Sequence, residues 1–237
     1  METDDGLPAA LSLLATKWGL RAHQREQLAA LLEQLVLDGR APTSVREPAV
    51  AVDTHLADSL VALDIAPVRD AATIADLGSG AGFPGLPLAI ARADCEVRLL
   101  ESQGRKCAYL EDAIARAGIR NARVVCARAE DWQEGLGAND VVTARAVGPQ
   151  PMVLEYAAPL LRLEGMLVDW RGRRSAGEER DALRAAEELG LAPVGIERVR
   201  PFAGARDRHL HLYVKVRETP ARFPRRAGIA RKRPLGG

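Results

Sequence analysis

The sequence predicts a doubly wound α/β domain: a mostly parallel seven-stranded sheet with a terminal antiparallel hairpin, preceded by an N-terminal helical segment. Three observations predict it. From Thr73 onward, short apolar runs alternate with helical stretches, the rhythm of a parallel sheet covered on both faces. The first of these runs leads straight into a glycine-rich turn that opens a helix. The last two runs follow one another with only a loop between them, as in a hairpin. A chain of 237 residues holds one such domain of about 150 residues plus a smaller appendage. The division expected is 1–66 for the helical segment, 67–216 for the sheet domain and 217–237 for a basic tail.

Residues 7–39 are expected to be helical, with Leu28, Leu31, Leu32, Leu35 and Val36 on one face at spacings of three and four. Gly39 supplies a stop. Pro42 and Pro48 break the next stretch, and His55 to Leu63 resumes a short helical pattern before Pro67. The strands are then Thr73–Leu77, Glu96–Leu100, Ala122–Cys126, Asp140–Ala144 and Met166–Trp170. Helices are expected after each, at 85–93, 103–117, 129–134, 150–161 and 176–189. Pro193–Val199 and His209–Val216 form the closing hairpin. Five βα units plus a hairpin differ from the six-stranded sheet of a dinucleotide-binding fold.

Composition excludes some classes. No apolar run approaches the roughly 18–20 residues of a membrane span, and the acidic start METDDGLPAALSLL is unlike a signal peptide. A cytoplasmic monomer is expected. Cys95, Cys107 and Cys126 are odd in number and well separated, and read as small buried residues in a reducing compartment, without a disulfide framework. The four histidines show no metal-binding spacing, and His209 and His211 alternate along a strand. No metal is expected. After Thr219 the chain carries Arg222, Arg225, Arg226, Arg231, Lys232 and Arg233 and no acidic residue. Such a tail is either a phosphate-gripping arm or a solvated, disordered appendage.

The most informative segment is Ile74-Ala75-Asp76-Leu77-Gly78-Ser79-Gly80-Ala81-Gly82-Phe83-Pro84-Gly85. Glycines allow both the unusual turn angles and the close approach of a ligand to the main chain. Gly80 to Gly85 also satisfies the GxGxxG pattern of nicotinamide and flavin enzymes, so that reading competes. Asp76 turns the balance. Its negative charge is unwelcome near a pyrophosphate but favourable near the sulfonium and ammonium of S-adenosylmethionine. Glu101, ending the next strand, is placed to accept hydrogen bonds from ribose hydroxyls in either case. Ala129 and Glu130 follow the third strand at the same sheet edge, where an amide and a carboxylate can hold an adenine ring. Arg145 ends the fourth strand and therefore borders the cleft. The reading is a class I methyltransferase core.

Together these segments resemble the bacterial small-subunit (16S) ribosomal RNA guanine-N7 methyltransferase family, called RsmG or GidB. The resemblance runs through Thr43-Ser44-Val45-Arg46-Glu47-Pro48 and His55-Leu56-Ala57-Asp58-Ser59. It continues through Asp76 to Ile90, with the specific extension Gly82-Phe83-Pro84-Gly85-Leu86-Pro87, then Leu100-Glu101-Ser102 with Gly104-Arg105-Lys106, and Val142-Thr143-Ala144-Arg145-Ala146-Val147. The basic tail is similar too. The resemblance implies S-adenosyl-L-methionine as cofactor, with contacts at Gly78, Phe83, Ala129, Glu130 and Arg145 and with Glu101 on the ribose; the glycine turn read by itself adds Asp76 and Gly80 as cofactor-binding residues. It implies small-subunit ribosomal RNA or the ribosomal subunit as partner, with RNA contacts expected at His55, Arg171, Arg222, Arg225, Arg226, Lys232 and Arg233. Two departures, Ala41-Pro42 and Asp169-Trp170-Arg171, fall where substrate is touched.

The chemistry expected is transfer of the sulfonium methyl to guanine N7. That nitrogen carries a lone pair and no proton, so no general base is needed, and Arg145 positions either the substrate, through guanine O6 or a phosphate, or the cofactor carboxylate. The rivals are a class I methyltransferase for another RNA, protein or small molecule, a nicotinamide-dependent oxidoreductase, and a ribosome-associated binding protein without catalysis.

Overall fold

The computed structural model describes residues 6–45 and 47–236; Arg46 and the acidic start at residues 1–5 lie outside the described residues. The expected helix over 7–39 is two helices, α1 (Gly6–Lys17) and α2 (Ala22–Leu37). Gly19 breaks it with a left-handed backbone, φ +63°, and Gln24 then accepts the Arg21 N–H at 2.8 Å to start α2. The leucine face of α2 is buried as its spacing requires. Glu47 caps α3 (Pro48–Ala51) by accepting from two backbone N–H groups. The stretch expected as one helix over 55–63 takes three pitches in turn: a wide π turn over Val52–Ala57, α4 (Asp58–Leu60) and a 3-10 turn over Val61–Asp64. α5 (Ala66–Asp70) leads into the sheet domain.

The alternation that follows is β1 (Thr73–Leu77), α6 (Gly85–Ala91), β2 (Glu96–Glu101), α7 (Gly104–Ala117), β3 (Ala122–Cys126), β4 (Asn139–Arg145), α8 (Gln150–Ala157), β5 (Leu161–Arg171), α9 (Ala176–Leu189), β6 (Leu191–Arg198) and β7 (His209–Lys215). The seven strands lie in the order β3-β2-β1-β4-β5-β7-β6. The first five are parallel, and β7 runs antiparallel to both β5 and β6. Strand order reverses between β1 and β4, so their carboxyl ends frame the crevice where doubly wound sheets bind ligands. Alternate residues of β1 feed opposite cores: Ile74 joins the N-terminal helices, α6 and α7, while Ala75 and Leu77 join α8 and α9.

Four expectations are corrected. The stretch 129–134 forms 3-10 turns over Ala129–Asp131 and Gln133–Gly135 instead of a helix. Buried Trp132 lies so close over Gly135 that no side chain fits there, which pins the segment into turns. β5 begins five residues earlier than expected because Leu161 pairs with Asn139 across a register shift. Cys107 and Cys126 form a disulfide, with Cα atoms 5.8 Å apart, joining the first turn of α7 to the end of β3. Their separation of 19 residues carries no such signature; the βα connection brings them together. Only Cys95 is a free, buried thiol. Finally, the tail is ordered: Phe223 is buried against α8 and α9, and α10 (Ile229–Lys232) buries Ala230.

The GFPG turn owes its last glycine to packing. A Cβ at Gly85 meets the Leu99 side chain and lies 2.8 Å from Asp76 Oδ2, whereas one at Gly104 meets nothing within 4 Å. Gly85→Ala is expected to lower unfolding free energy by about 1–3 kcal/mol, measured by urea denaturation. Gly104→Ala serves as control and should leave stability unchanged or slightly raised.

Candidate active site

Three glycines with left-handed backbone, Gly78 (φ +66°), Gly80 (φ +57°) and Gly82 (φ +92°), shape the turn after β1. The amides of Gly78 and Ser79 both donate to Leu100 O of β2, at 2.8 and 3.1 Å. Beneath the turn lies the carboxylate of Asp76, wholly buried. It accepts from Thr143 Oγ1 of β4 at 2.8 Å and from the Gly85 amide of α6 at 3.3 Å. Burial pushes its pKa up to about 6, against the lowering effect of these hydrogen bonds and of Arg145. The structure thus places Asp76 under the turn rather than on a ligand-facing wall. It also fills the start of α6, where a dinucleotide pyrophosphate needs free amides.

On one side of the turn opens a cavity of about 470 Å³, bordered by Gly78, Glu101, Ala129, Glu130 and, on α8, Tyr156. A side chain at Gly78 would press on Val147 at 3.1 Å, so glycine there lets the loop after β4 close over the turn. The Glu101 carboxylate on the floor is firmly set. Oε1 accepts from the Ser102 and Gln103 amides at 2.8 and 2.9 Å, and Oε2 accepts from the Gly80 amide at 3.2 Å. Oε2 also faces the Lys106 ammonium at 3.9 Å, and of about four acceptor positions on the carboxylate one on Oε2 is not hydrogen-bonded. Gly80 therefore acts through Glu101, not as a wall of its own.

On the other side of the turn, the N-terminal segment meets the end of β4. Arg145 donates to Asp58 Oδ2 at 2.9 Å, to Thr54 O at 3.1 Å and to His55 Nδ1 at 3.4 Å. A guanidinium can only donate, so Nδ1 is the acceptor; Nε2 carries the proton and donates to Thr43 Oγ1 at 3.2 Å. The His55 ring stacks on Phe83, centroids 4.7 Å apart and 12° from parallel, and Arg145 lies 5.8 Å from the Phe83 ring. Burial, with Arg145 beside it, holds the His55 pKa down at about 4. Ala146, next along the chain, sits in the left-handed region at φ +58°, a strained lip between the two half-sites.

A family model described as "GidB: rRNA small subunit methyltransferase G" matches residues 24–210. The chain is 39% identical over 230 residues to a ribosomal RNA small subunit methyltransferase G from Rubrobacter xylanophilus, covering 93% of this chain and 88% of that protein. It is 40% identical to the one from Roseiflexus castenholzii, over 94% of this chain and 97% of that one. The chain belongs to the small-subunit ribosomal RNA methyltransferase G family. Among solved structures, an Aeropyrum pernix fibrillarin with bound S-adenosyl-L-methionine matches with TM-score 0.54 at 19% identity, over 67% of this chain and 74% of that one. The antibiotic-resistance methyltransferase Kmr matches with TM-score 0.52 at 20% identity, over 65% and 92% respectively. These two likenesses concern the fold.

The stretch matched by the family model holds both half-sites and also Arg171. That guanidinium donates to Gly148 O at 2.7 Å and pairs with Glu178, while Glu178 accepts the Gln150 amide at 2.8 Å. Arg171 so fixes the loop between β4 and α8. Behind it, burial raises buried Asp169 to about 7 and lowers His211 to about 4. The two share Gln150, whose Nε2 lies 3.3 Å from Asp169 Oδ2 and 2.9 Å from His211 Nδ1.

The tail lies past the matched stretch. Arg225 donates to buried Glu155 at 2.6 Å and Arg222 pairs with Glu188 at 2.9 Å. Arg226, Lys232 and Arg233 are exposed, and none forms an ion pair among the described residues. Sequence reasoning missed Thr54, Tyr156 and Arg231, which reach the site through packing alone. Asp58 had a signal, its spacing of three from His55. Among the described residues, no group of His, Cys, Asp or Glu is placed to hold a metal ion, and no helix is long and apolar enough to cross a membrane.

The pH dependence of stability separates these groups. His55 binds its proton less readily when folded (about 4) than when unfolded (6.5). The stability it contributes is therefore full above 6.5 and is lost as pH falls towards 4. Asp76, raised from 3.8 to about 6, has the opposite sign and loses stability as pH rises through that window. His55→Asn, compared with the parent protein in urea, should gain relative stability on going from neutral to acid pH. A difference independent of pH would mean that His55 is not held neutral.

Proposed function

We propose that this protein transfers a methyl group from S-adenosyl-L-methionine to N7 of a guanine in small-subunit (16S) ribosomal RNA, acting as a monomer in the cytoplasm. The observation that carries the reading is the pair of half-sites around one glycine turn, in a chain of this family: a nucleoside-sized cavity floored by Glu101, and the Arg145 cluster beside it. About 470 Å³ suits a small ligand. The one acceptor position left on Glu101 fits a ribose hydroxyl, and Ala129 with Glu130 suits an adenine edge. When bound, the sulfonium supplies an electrophilic methyl group.

The chain's part is alignment. Arg145 has five N–H donors and uses three on Asp58, Thr54 and His55. The remaining two are left for the acceptor base, and Arg145 is not among the residues that line the Glu101 cavity. No side chain has to take a proton, since N7 carries none. This agrees with a cluster whose titratable groups are already engaged: Asp58 in an ion pair and His55 Nδ1 against Arg145. Holding the reacting atoms in line contributes on the order of 7–11 kcal/mol when geometry is well kept. Exposed Arg226, Lys232 and Arg233 of the tail contact RNA phosphates, while Arg171 and His55 set the loop and Arg145 beside the base. Arg222 and Arg225 serve mainly to dock the tail.

The test is transfer of radiolabelled methyl from S-adenosyl-L-methionine to small ribosomal subunits lacking the modification, with nuclease mapping. Label released as 7-methylguanosine from one site is expected, and label in another base would overturn the reading. Arg145→Ala should lower turnover about tenfold or more, as removal of a positioning group does, with its circular dichroism unchanged. Turnover near the parent value would remove Arg145 from the site. Replacing Arg226, Lys232 and Arg233 with alanine should flatten the salt dependence of RNA binding, by about 0.7–0.9 in logarithmic slope for each phosphate no longer neutralised.

A further inference from the structure

The nucleoside cavity has a wall that neither strands nor α8 supply. Gly228 donates its amide to Glu130 Oε1 at 2.8 Å, so the tail is bonded to the carboxylate at the adenine end of the cavity. Three residues on, Arg231 stands on the cavity border together with Tyr156 and Glu130. The anchoring behind it is substantial. Phe223 is buried in the α8–α9 core, Arg225 is paired with Glu155, itself 1% exposed, and Arg225 Nη2 also donates to Arg233 O at 2.8 Å. Arg184 donates to Gly236 O at 3.1 Å. Gly228 adopts a left-handed backbone, φ +81°, at the start of α10.

We propose that the C-terminal segment is a wall of the cofactor pocket, and that Arg231 is a cofactor-binding residue whose guanidinium covers the adenine ring. The proposal rests on S-adenosyl-L-methionine occupying this cavity. Arg231 follows Gly228, which is bonded to Glu130, by three residues, so it is placed to meet the neutral nucleoside rather than the charged methionyl group. A planar guanidinium stacks on an aromatic face without a counter-charge. The Arg231 side chain belongs to an exposed residue, so removing it leaves the docking of the tail intact. Tail order and cofactor binding are then linked: the occupied cavity favours the docked tail, and the docked tail raises affinity.

The experiment is calorimetric titration of the full chain, without RNA, with S-adenosyl-L-methionine and with 5′-methylthioadenosine, which lacks the amino-acid part. Arg231→Ala is expected to weaken both by a similar factor of about three, as an exposed guanidinium–ring contact predicts. Arg231→Lys should fall between the two. Removing residues 219–237 should weaken both further, with circular dichroism and thermal melting reporting whether the remainder stays folded. If the parent protein binds both ligands and Arg231→Ala binds them equally well, the proposal is overturned. Loss of RNA affinity alone would make Arg231 a phosphate contact. If the parent protein binds neither ligand, the cofactor reading falls, and this proposal with it.

Discussion

The buried carboxylate of Asp76 holds three elements at the point where the sheet changes direction. It accepts from Thr143 on β4 and from the amide that starts α6, and it is itself the penultimate residue of β1. Burying a carboxylate is costly, and the rise of its pKa to about 6 records that cost. Two hydrogen bonds offset part of it, and in return the ends of β1, β4 and α6 are fixed relative to one another. Everything that borders the crevice hangs on this junction: the Gly78 turn on its upper side, the strained Ala146 lip beyond β4, and the close contact of α6 with Leu99 that leaves room only for glycine at 85.

The junction divides the crevice into two chemically different halves. Towards β2 and β3 two carboxylates, Glu101 and Glu130, are held still by backbone amides. Towards the N-terminal helices one donor, Arg145, is held by three acceptors, Asp58 Oδ2, Thr54 O and His55 Nδ1. The donor half depends on the π turn over Val52–Ala57, which carries Thr54 and His55 and sets Asp58 at its end. A wider pitch brings the Thr54 carbonyl, the His55 ring and the Asp58 carboxylate to one guanidinium, and such turns gather at functional sites. Trp170 of β5 donates to Asp58 O at 2.8 Å and ties this turn to the sheet. The helical segment is therefore part of the site, not an appendage to it.

The tail changes the arrangement again. A run of arginines without acidic neighbours suggests repulsion and solvation, yet Glu155 and Glu188 on α8 and α9 lie in wait for two of them. Burial of Phe223 adds apolar stabilisation, about 1.5–3 kcal/mol for a fully buried side chain of this kind. Arg226, Lys232 and Arg233 remain exposed, while the paired arginines fasten the segment that carries them.

Much of this was written in the sequence. Apolar runs of five residues alternating with longer amphipathic stretches determine a parallel sheet, since only strands that bury both faces read that way. The alternating glycines of 78–82 determine a turn open to left-handed angles, and Glu101 at the end of β2 follows from strand register. Other features were decided only by tertiary structure, because they join residues with no periodic relation. Cys107 meets Cys126 through the βα connection, and Trp132 lies on Gly135 and turns an expected helix into two 3-10 turns. Asp76 faces inwards because its strand partner offers Thr143, which no local pattern announces. Arg231 reaches the cavity because Glu155, 70 residues before Arg225, anchors the tail. Local periodicity fixes which elements form; burial and long-range pairing of charges fix what faces the crevice.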